Sequence, residues 1–431
     1  PTMLSVATQE MWNSGSMAYG IGPTLTFGAV EALHVHATRE LQEKYLPKLI
    51  SGEWMGTMNL TEPQAGSDLA LLRSMAEPRG DGTYAIKGTK IFIPYGEHDP
   101  PDNIIHRVLA RLPDAPPGTR GISLFLVPKF LVNDDGSLGE RNDAWCQSVE
   151  HKLGIHASPT CVMAFGEKTG AIGWLVGEEN RGLNCMFTMM NNARLSVGIQ
   201  GVAIAERAYQ QALAYAHDRK QGRMPGMSPD ETVPILAHPD IRRELVTMRA
   251  LTAAARAICY QTGAATDLAH RLSDETDRKA AQERANLLTP LAKAFSTDIG
   301  VEVASMGVQV HGGMGFIEET GAAQHLRDAR IAPIYEGTNG IQAIDLVTRK
   351  LPMSGGEAVK AYLAELRNTA REVSESNQPA FGRMGERLNE ALDALEKATD
   401  WMFSALKDNP DHALAGATPY LRLMSVCGGG A

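Results

Sequence analysis

The sequence of 431 residues is 43% hydrophobic and 21% charged, a balance typical of globular proteins with a sizeable buried core. Its formal net charge of −9, without any block of Lys and Arg, argues against nucleic-acid binding and against polybasic docking to a membrane. No stretch is apolar over the length that a bilayer span requires, and the five scattered cysteines form no C-x-x-C pair. We therefore expect no membrane span, no nucleic-acid partner and no metal site.

Residues 1–53 are predicted to be helical. Thr38 is a suitable N-cap for a helix whose apolar side chains recur at helical spacing, namely Leu41, Tyr45, Leu46 and Leu49. We interpret this segment as the remainder of a helical N-terminal domain that is largely missing. Because the chain begins at Pro1 without a Met start and stops soon after Cys427, we expect it to be a piece of a longer polypeptide.

Residues 54–178 are predicted to form a middle β-domain. The segments 83–87 and 90–93 are short and β-prone, and Asp81 followed by Gly82 is a favourable turn between strands. Further strands are expected at 121–128, 161–165 and 174–176. Because turns rich in Gly, Pro and Asp separate these strands, we expect an antiparallel barrel or sandwich.

Residues 179–350 are predicted to form a C-terminal helical bundle. One helix begins near Pro239 and has an apolar face that comprises Ile241, Leu245, Met248, Ala255 and Cys259. Thr289 is expected to cap another helix, with Pro290 at its first position, and Gly312 with Gly313 is expected to end it.

Residues 351–431 are predicted to be a truncated helical extension. Pro352 is followed by two glycines, which is typical of a linker, and helices are expected at roughly 357–375 and 385–408. The last residues, 428–431, are expected to belong to no closing element. The fold class is therefore α+β and mainly α, with a helical domain, a β-domain, a helical bundle and extra C-terminal helices.

Two glycine-containing segments are candidates for ligand binding. The loop 59–68 is rich in small and hydroxyl residues, which let a backbone approach a flat polar ring such as a flavin, but a surface loop is the simpler interpretation. The segment 309–315 has clustered glycines that suit a phosphate or a ribose. It follows a helix, however, so a glycine-rich C-cap explains it equally well.

Glu336 is the candidate for acid–base chemistry. It lies between an apolar run and Gly337, where a turn could present the carboxylate to a cavity. Desolvation in such a cavity would make the carboxylate a stronger base at neutral pH. The alternative is an ordinary solvated carboxylate in a loop, and the residues alone do not decide between the two.

Taken in order, these segments resemble the acyl-CoA dehydrogenase family. The motifs that carry the resemblance are the segments 61–63, 65–68, 309–315, 327–328 and 335–338. The order of helices, β-domain and helices agrees over residues 3–350. The segments 96–99 and 335–342, together with the C-terminal extension, resemble the branch of the family that acts on 3-methylmercaptopropionyl-CoA.

The resemblance implies an FAD-dependent α,β-dehydrogenation of an acyl-CoA thioester to the trans-2-enoyl-CoA. Glu336 matches the catalytic base and would remove the α-proton, while the β-hydride would pass to the flavin. The family holds the thioester carbonyl partly with the backbone N–H of the base, so the segment of Glu336 and Gly337 would contact the substrate.

The resemblance also assigns residues to the flavin ring. Leu60 and Thr61 would bond its pyrimidine side, Ser67 would contact the flavin or the CoA arm, and Phe92 would lie beside the isoalloxazine. Pro94 stands where the family has Thr or Ser. Because proline has neither a hydroxyl nor an N–H, one hydrogen bond to the flavin is expected to be lost there.

Other assignments concern the adenosine half of FAD and the CoA portion of the substrate. Thr338 would contact the adenine side within its own subunit, whereas Arg219, Gln309 and Gly313 would reach the flavin of a neighbouring subunit. Asn191 and Arg194, spaced i, i+3 on a helix, would meet CoA; the alternative for Arg194 is an ion pair on the helix surface.

The shared flavin sites imply a homo-oligomer, either a dimer or a tetramer. An electron-transfer flavoprotein is the expected electron acceptor, and the bacterial cytoplasm the expected location, with a mitochondrial matrix as the alternative. Two other functions stay open: an acyl-CoA oxidase that passes electrons to oxygen, and a non-enzymatic helical scaffold that keeps the fold.

Overall fold

The computed structural model describes residues 1–376 and 378–431, with the side chains of residues 187–189 and 191 left aside. Backbone contacts divide the chain into two units. The first unit consists of Pro1–Gly15 and Arg194–Ala431, and the second of Ser16–Ala193. None of the helices in the described part of the chain combines the length and the apolar character that a membrane span demands.

The second unit contains two helices and a set of strands. The helices are α2 (Met17–His36) and α3 (Arg39–Ser51). The strands are β1 (Trp54–Asn59), β2 (Met75–Pro78), β3 (Tyr84–Pro94), β4 (Asn103–Arg111), β5 (Ile122–Pro128), β6 (Phe130–Val132), β7 (Leu138–Arg141), β8 (Ala144–Val149), β9 (Thr160–Phe165) and β10 (Ala171–Val176). The Thr38 side chain accepts a hydrogen bond from the Leu41 N–H at 3.4 Å, so the predicted cap of α3 is confirmed.

The main sheet of the second unit has the strand order β1-β4-β5-β10-β3-β9-β8. Because β2 pairs with both β3 and β4, the path β4-β5-β10-β3-β2 closes into a barrel, and the predicted middle β-domain is confirmed. Most strand pairs are antiparallel, as predicted, but β1 pairs with β4 in parallel, and so does the start of β2. The chain passes through β2 and β3 between β1 and β4, which supplies the long connection that a parallel pair requires.

Strand β3 corrects the prediction of two short strands at 83–87 and 90–93. It is continuous from Tyr84 to Pro94, with an irregular register to β9 between Lys90 and Ile93. The predicted turn at Asp81 and Gly82 is confirmed, and it joins β2 to β3. Gly82 has a φ of 84°, which glycine adopts without the strain of a side chain.

The helices of the first unit are α1 (Thr2–Gly15), α4 (Gly182–Asp218, of which residues 194–218 belong to this unit), α5 (Pro239–Arg271), α6 (Glu275–His311), α7 (Ala322–Ala329), α8 (Asn339–Asp345), α9 (Glu357–Glu375), α10 (Met384–Asp408) and α11 (Pro410–Gly430). One hydrophobic core extends through α4, α5, α6 and the three C-terminal helices. Two helices predicted after residue 351 are confirmed as α9 and α10.

Two predictions about these helices are wrong. Thr289 is not an N-cap, because α6 begins after Asp274 and runs through Pro290 to His311. The Thr289 hydroxyl instead donates to the Ala285 carbonyl at 2.7 Å, in the turn just before the proline. The chain also ends in a further helix, α11, rather than in residues without a closing element.

The glycines near the end of α11 have a packing role. A Cβ added to Gly428 would lie 1.8 Å from the Tyr362 hydroxyl on α9, and one added to Gly429 would lie 2.7 Å from the Ala254 Cβ on α5. Helix α11 therefore packs closely against both helices only because these positions lack side chains.

Candidate active site

Glu336 lies in the turn between α7 and α8, in the first unit. Its φ is 55°, in the left-handed region that non-glycine residues rarely adopt, and Gly337 follows with a φ of 79°. Such a conformation costs about 1–3 kcal/mol and persists only where neighbouring groups impose it. The side chain of Glu336 is half-buried.

Hydrogen bonds fix the backbone of this turn on both sides of Gly337. The Glu336 carbonyl accepts from Gln342 Nε2 at 3.2 Å, and the Gly337 carbonyl accepts from Lys293 Nζ at 2.8 Å. Thr338 caps α8, since its hydroxyl oxygen accepts from the Ile341 N–H at 3.3 Å. The turn that carries Glu336 is thereby attached to α6 and to the first turns of α8.

A polar cluster lies behind the turn, among the apolar residues of α6. Lys293 Nζ also donates to Asn339 Oδ1 at 2.9 Å, and Asn339 Nδ2 donates to Asp298 Oδ1 at 2.7 Å. Burial lowers the pKa of the Lys293 ammonium to about 7, against the attraction of Glu336 and Asp298. Burial likewise raises the pKa of Asp298.

Arg194 on α4 is 5% exposed, and its Nη1 lies 3.1 Å from Asp345 Oδ2 at the end of α8. Burial lowers the pKa of Arg194, whereas the carboxylates of Asp345 and Glu336 raise it. The ion pair of Arg194 is therefore buried, not on a helix surface. The side chain of Asn191 lies outside the described residues, and its predicted contact with CoA stays a prediction, as does that of Arg194.

Tyr335 precedes Glu336 and is fixed by a hydrogen bond to α4. Its hydroxyl donates to Gln200 Oε1. Burial raises the pKa of Tyr335 above its usual range, so its phenol is neutral at physiological pH. No role was predicted for Lys293, although a lysine within the apolar face of α6 was a visible anomaly. Tyr335 and Gln342 were included only as parts of the segment 335–342.

The predicted flavin residues Leu60 and Thr61 lie in the second unit, in the loop after β1. The Leu60 carbonyl accepts from Lys90 Nζ at 3.1 Å, and the Thr61 carbonyl accepts from the Ile91 N–H at 3.0 Å. These bonds place the loop beside β3. Among the described residues, the Thr61 hydroxyl has no hydrogen-bond partner, and Ser67 is exposed further along the same loop.

Phe92 and Pro94 occupy the irregular end of β3. Phe92 has a φ of 58° and is 58% exposed, an unusual state for a large aromatic side chain on a strand. Pro94 is the last residue of β3 and lies opposite Thr160 of β9. An exposed ring next to a loop with a free hydroxyl fits a flat heteroaromatic ligand, so these residues suit the isoalloxazine of a flavin.

The remaining predicted residues lie on the surface of the first unit. Arg219 follows α4 and is exposed, while Gln309 and Gly313 are exposed at the end of α6. A Cβ added to Gly313 would meet no atom within 4 Å. Between them, His311 is buried, with Nδ1 2.7 Å from the Gly307 carbonyl and its ring stacked on Tyr215, which indicates a structural role.

Three family models match the chain. They are the acyl-CoA dehydrogenase middle domain over residues 57–167, the acyl-CoA dehydrogenase C-terminal domain over residues 180–351, and a domain described as acetyl-CoA dehydrogenase C-terminal like over residues 362–431. The two matches to acyl-CoA dehydrogenase domains include all the candidate site residues named above.

Curated relatives agree with these matches. The chain is 52% identical to 3-methylmercaptopropionyl-CoA dehydrogenase of Ruegeria pomeroyi, over 98% of this chain and 71% of the relative. It is 39% identical to a butyryl-CoA dehydrogenase of Syntrophomonas wolfei, over 91% of this chain and 65% of that relative. The chain belongs to the acyl-CoA dehydrogenase family, a family of FAD-dependent oxidoreductases.

Solved structures show the same fold. Caenorhabditis elegans ACDH-11 in complex with C11-CoA matches with a TM-score of 0.80 and 22% identity, over 98% of this chain and 69% of that one. An acyl-CoA dehydrogenase complexed with FAD from Bacillus anthracis matches with a TM-score of 0.71 and 24% identity, over 92% of this chain and 65% of that one.

Proposed function

We propose that this chain catalyses the FAD-dependent α,β-dehydrogenation of an acyl-CoA thioester to the trans-2-enoyl-CoA, with Glu336 as the catalytic base. The observation that carries the proposal is the turn that presents Glu336. Its left-handed backbone is held by Gln342 and Lys293, which is the kind of imposed strain that clusters at active sites. The turn also lies in the segment matched by the family's C-terminal domain.

Glu336 has two tasks in this mechanism. Its carboxylate removes the α-proton of the thioester, which requires the α-carbon to lie within hydrogen-bond reach of a carboxylate oxygen. Its backbone N–H donates to the thioester carbonyl, which stabilises the negative charge that develops there as the proton leaves. Gly337 adjoins this contact and has a φ of 79°, which glycine adopts without the strain of a side chain.

Bound FAD would supply the acceptor for the hydride that leaves the β-carbon. The loop of Leu60 and Thr61 would hold the pyrimidine side of its ring, with Phe92 and Pro94 beside the ring and Ser67 near the flavin or the CoA arm. The free Thr61 hydroxyl and the exposed Phe92 ring support this assignment.

A homo-oligomer, dimer or tetramer, is part of the proposal. Thr338 would contact the adenine side of the flavin in its own subunit, whereas Arg219, Gln309 and Gly313 would contact the flavin of a neighbour. The exposure of Arg219, Gln309 and Gly313, together with the open space at Gly313, supports a role for them in binding a group from outside the chain.

The substrate is proposed to be 3-methylmercaptopropionyl-CoA, because the relative with that activity is 52% identical over nearly the whole chain. A short saturated acyl-CoA is the second candidate, since butyryl-CoA dehydrogenase is 39% identical. An electron-transfer flavoprotein is proposed as the electron acceptor and the bacterial cytoplasm as the location. Release of peroxide during turnover would instead identify an acyl-CoA oxidase.

Anaerobic bleaching of the flavin tests the function. The purified protein, reconstituted with FAD, should bleach with 3-methylmercaptopropionyl-CoA or with another member of an acyl-CoA panel. Glu336→Gln should still bind the thioester but fail to bleach, whereas Glu319→Gln, an exposed glutamate of the same unit, should behave as the parent. Bleaching by Glu336→Gln would remove Glu336 as the base, and protein that binds no FAD would favour the non-enzymatic scaffold.

A further inference from the structure

Lys293 occupies an improbable place for a lysine. It lies in the middle of α6 and is 0% exposed, in a run from Leu287 to Thr297 that is buried throughout. Lysine is almost never fully buried unless it is paired, because its ammonium loses hydration that the interior must replace. A residue that carries this cost in the core of a bundle is expected to have a compensating role.

The ammonium of Lys293 is directed at the turn of the proposed base. Its Nζ donates to the Gly337 carbonyl, which belongs to the peptide group between Gly337 and Thr338, at 2.8 Å. It donates also to Asn339 Oδ1 at 2.9 Å, and Asn339 is itself anchored to the Ala294 carbonyl and to Asp298. Lys293 thus attaches the turn of Glu336 to α6 through two charge-assisted hydrogen bonds, one to the Gly337 backbone and one to the Asn339 side chain.

Lys293 also interacts electrostatically with Glu336, the proposed base. Glu336 and Asp298 attract the ammonium, and Arg194 on α4 repels it; among these three groups Glu336 has the largest effect on the Lys293 pKa. Because an electrostatic interaction is mutual, the same ammonium stabilises the Glu336 carboxylate. The strength of this interaction depends on whether Lys293 carries its proton.

We propose that Lys293 is a positioning residue for the dehydrogenation, which holds the strained turn of Glu336 and Gly337 through the Gly337 carbonyl and keeps a positive charge behind the base. This inference rests on the proposed function of the Glu336 site. A neutral amine would hold the Gly337 carbonyl more weakly than an ammonium does, since charge-assisted hydrogen bonds are roughly twice as strong as neutral ones. The structure therefore makes the alignment of the base sensitive to the protonation of Lys293.

The test compares Lys293→Met with Lys279→Met, which removes an exposed lysine from the same helix. Methionine fills a similar volume, but it leaves the Gly337 carbonyl and Asn339 Oδ1 without their donor, so the variant should fold with a lower stability than the parent. The rate of anaerobic flavin reduction at saturating acyl-CoA should fall roughly 10- to 100-fold, as expected for a displaced base. Affinity for the thioester should stay within about twofold, which corresponds to well under 1 kcal/mol.

The pH profile is a readout that a merely structural lysine would not move. In the parent, the rate of flavin reduction should decrease as pH rises through about 7, because Lys293 loses its proton there. Lys293→Met should lack this step, and Lys279→Met should keep it. If Lys293→Met reduces the flavin at the parental rate with the parental profile, the inference is overturned.

A second measurement needs no flavin and no turnover. In protein labelled at lysine Cε with ¹³C, one resonance should titrate near neutral pH, and Glu336→Gln should move its midpoint to lower pH, because the attraction of Glu336 is lost. A titration unaffected by Glu336→Gln would contradict the pairing even if Lys293→Met failed to fold. Failure of the parent to bleach with any thioester would refute the proposed function and leave this pairing measurable on its own.

Discussion

Lys90 Nζ lies 2.8 Å from Glu62 Oε1, and both side chains are removed from solvent. Glu62 also accepts hydrogen bonds from the backbone N–H groups of Arg73 and Ser74 and from the Ser74 hydroxyl. Lys90 donates in addition to the Leu60 carbonyl. This buried pair thus determines the shape of the loop that is proposed to bind the flavin.

Glu62→Gln should destabilise the protein substantially, because it leaves the Lys90 ammonium buried without a counter-charge. The expected loss is about 3–5 kcal/mol in the free energy of unfolding, measured by urea denaturation at neutral pH. Glu77→Gln is the matched control, since Glu77 pairs with Lys87 at 3.0 Å with both side chains about half exposed. That exposed pair should contribute less than about 1 kcal/mol, and equal losses in the two variants would contradict the argument.

Glu62 should also contribute to acid denaturation. Burial opposes its ionisation, but Lys90 and the hydrogen bonds from Lys90, Ser74 and Arg73 prevail and lower its pKa to about 2 from 4.5. A lowered carboxylate pKa stabilises the fold fully above the unfolded value and ceases to do so as pH falls through the folded value. The parent should therefore lose stability between pH 4.5 and about 2. The free energy of unfolding should fall less steeply with decreasing pH in Glu62→Gln than in the parent. An equally steep fall in both proteins would argue against this contribution.

Gly337→Ala should disturb the base without unfolding the protein. Gly337 has a φ of 79°, and an added Cβ would lie 2.9 Å from Gln342 Nε2, which holds the Glu336 carbonyl. We expect a loss of about 1–3 kcal/mol in stability and a fall of roughly 10- to 100-fold in the rate of flavin reduction. Gly340→Ala should be neutral or stabilising, because Gly340 lies in α8 and an added Cβ would meet only the Thr338 hydroxyl oxygen, at an ordinary contact distance of 3.8 Å. Similar rates for the two variants would show that the turn tolerates displacement.

Pro94→Ser should strengthen flavin binding. Serine restores the hydroxyl that the family places beside the ring, and a net hydrogen bond contributes about 0.5–1.5 kcal/mol. The dissociation constant of FAD should fall by roughly 2- to 12-fold, measured by flavin fluorescence on reconstitution, with a shift in the flavin reduction potential. Pro94→Ala serves as the control, as it removes the proline without adding a hydroxyl. If Pro94→Ser changed neither the FAD affinity nor the reduction potential, no hydrogen bond to the flavin would be missing at this position.

Asp345→Asn should weaken the first unit by leaving the Arg194 guanidinium buried beside a neutral partner. The expected cost is about 3–5 kcal/mol, read from urea denaturation followed by circular dichroism. Arg349 is the other partner of Asp345, and the Arg349 side chain is 58% exposed. Arg349→Ala should therefore cost less than about 1 kcal/mol. A small effect of Asp345→Asn would show that Arg194 is adequately satisfied by other groups.

Local signals in the sequence predicted the elements that depend on local chemistry. The Thr38 cap, the buried strand β5 and the helices α9 and α10 all follow from capping residues, β-prone runs or proline breaks. The same kind of rule failed at Pro290, because a favourable first-turn residue is also tolerated inside a long helix when packing compensates for the missing hydrogen bond.

Features that arise from distant contacts were not predictable. The parallel pairing of β1 with β4 depends on where the chain returns after β3, which periodicity does not encode. Glu336 was one carboxylate among fifty acidic residues, and only the ordered motifs of the family singled it out. The support from Lys293 became visible only when α6 and the turn at Gly337 were seen side by side.

The close fit of α11 against α9 and α5 has a consequence for how this protein can change during evolution. Gly428 and Gly429 leave no room for a single methyl group. Larger residues at these two positions would separate α11 from the bundle. Neighbouring Gly430 has open space around it and can accept a larger residue. A glycine-rich segment that looks featureless in the sequence is therefore constrained at two of its positions by the packing of α11.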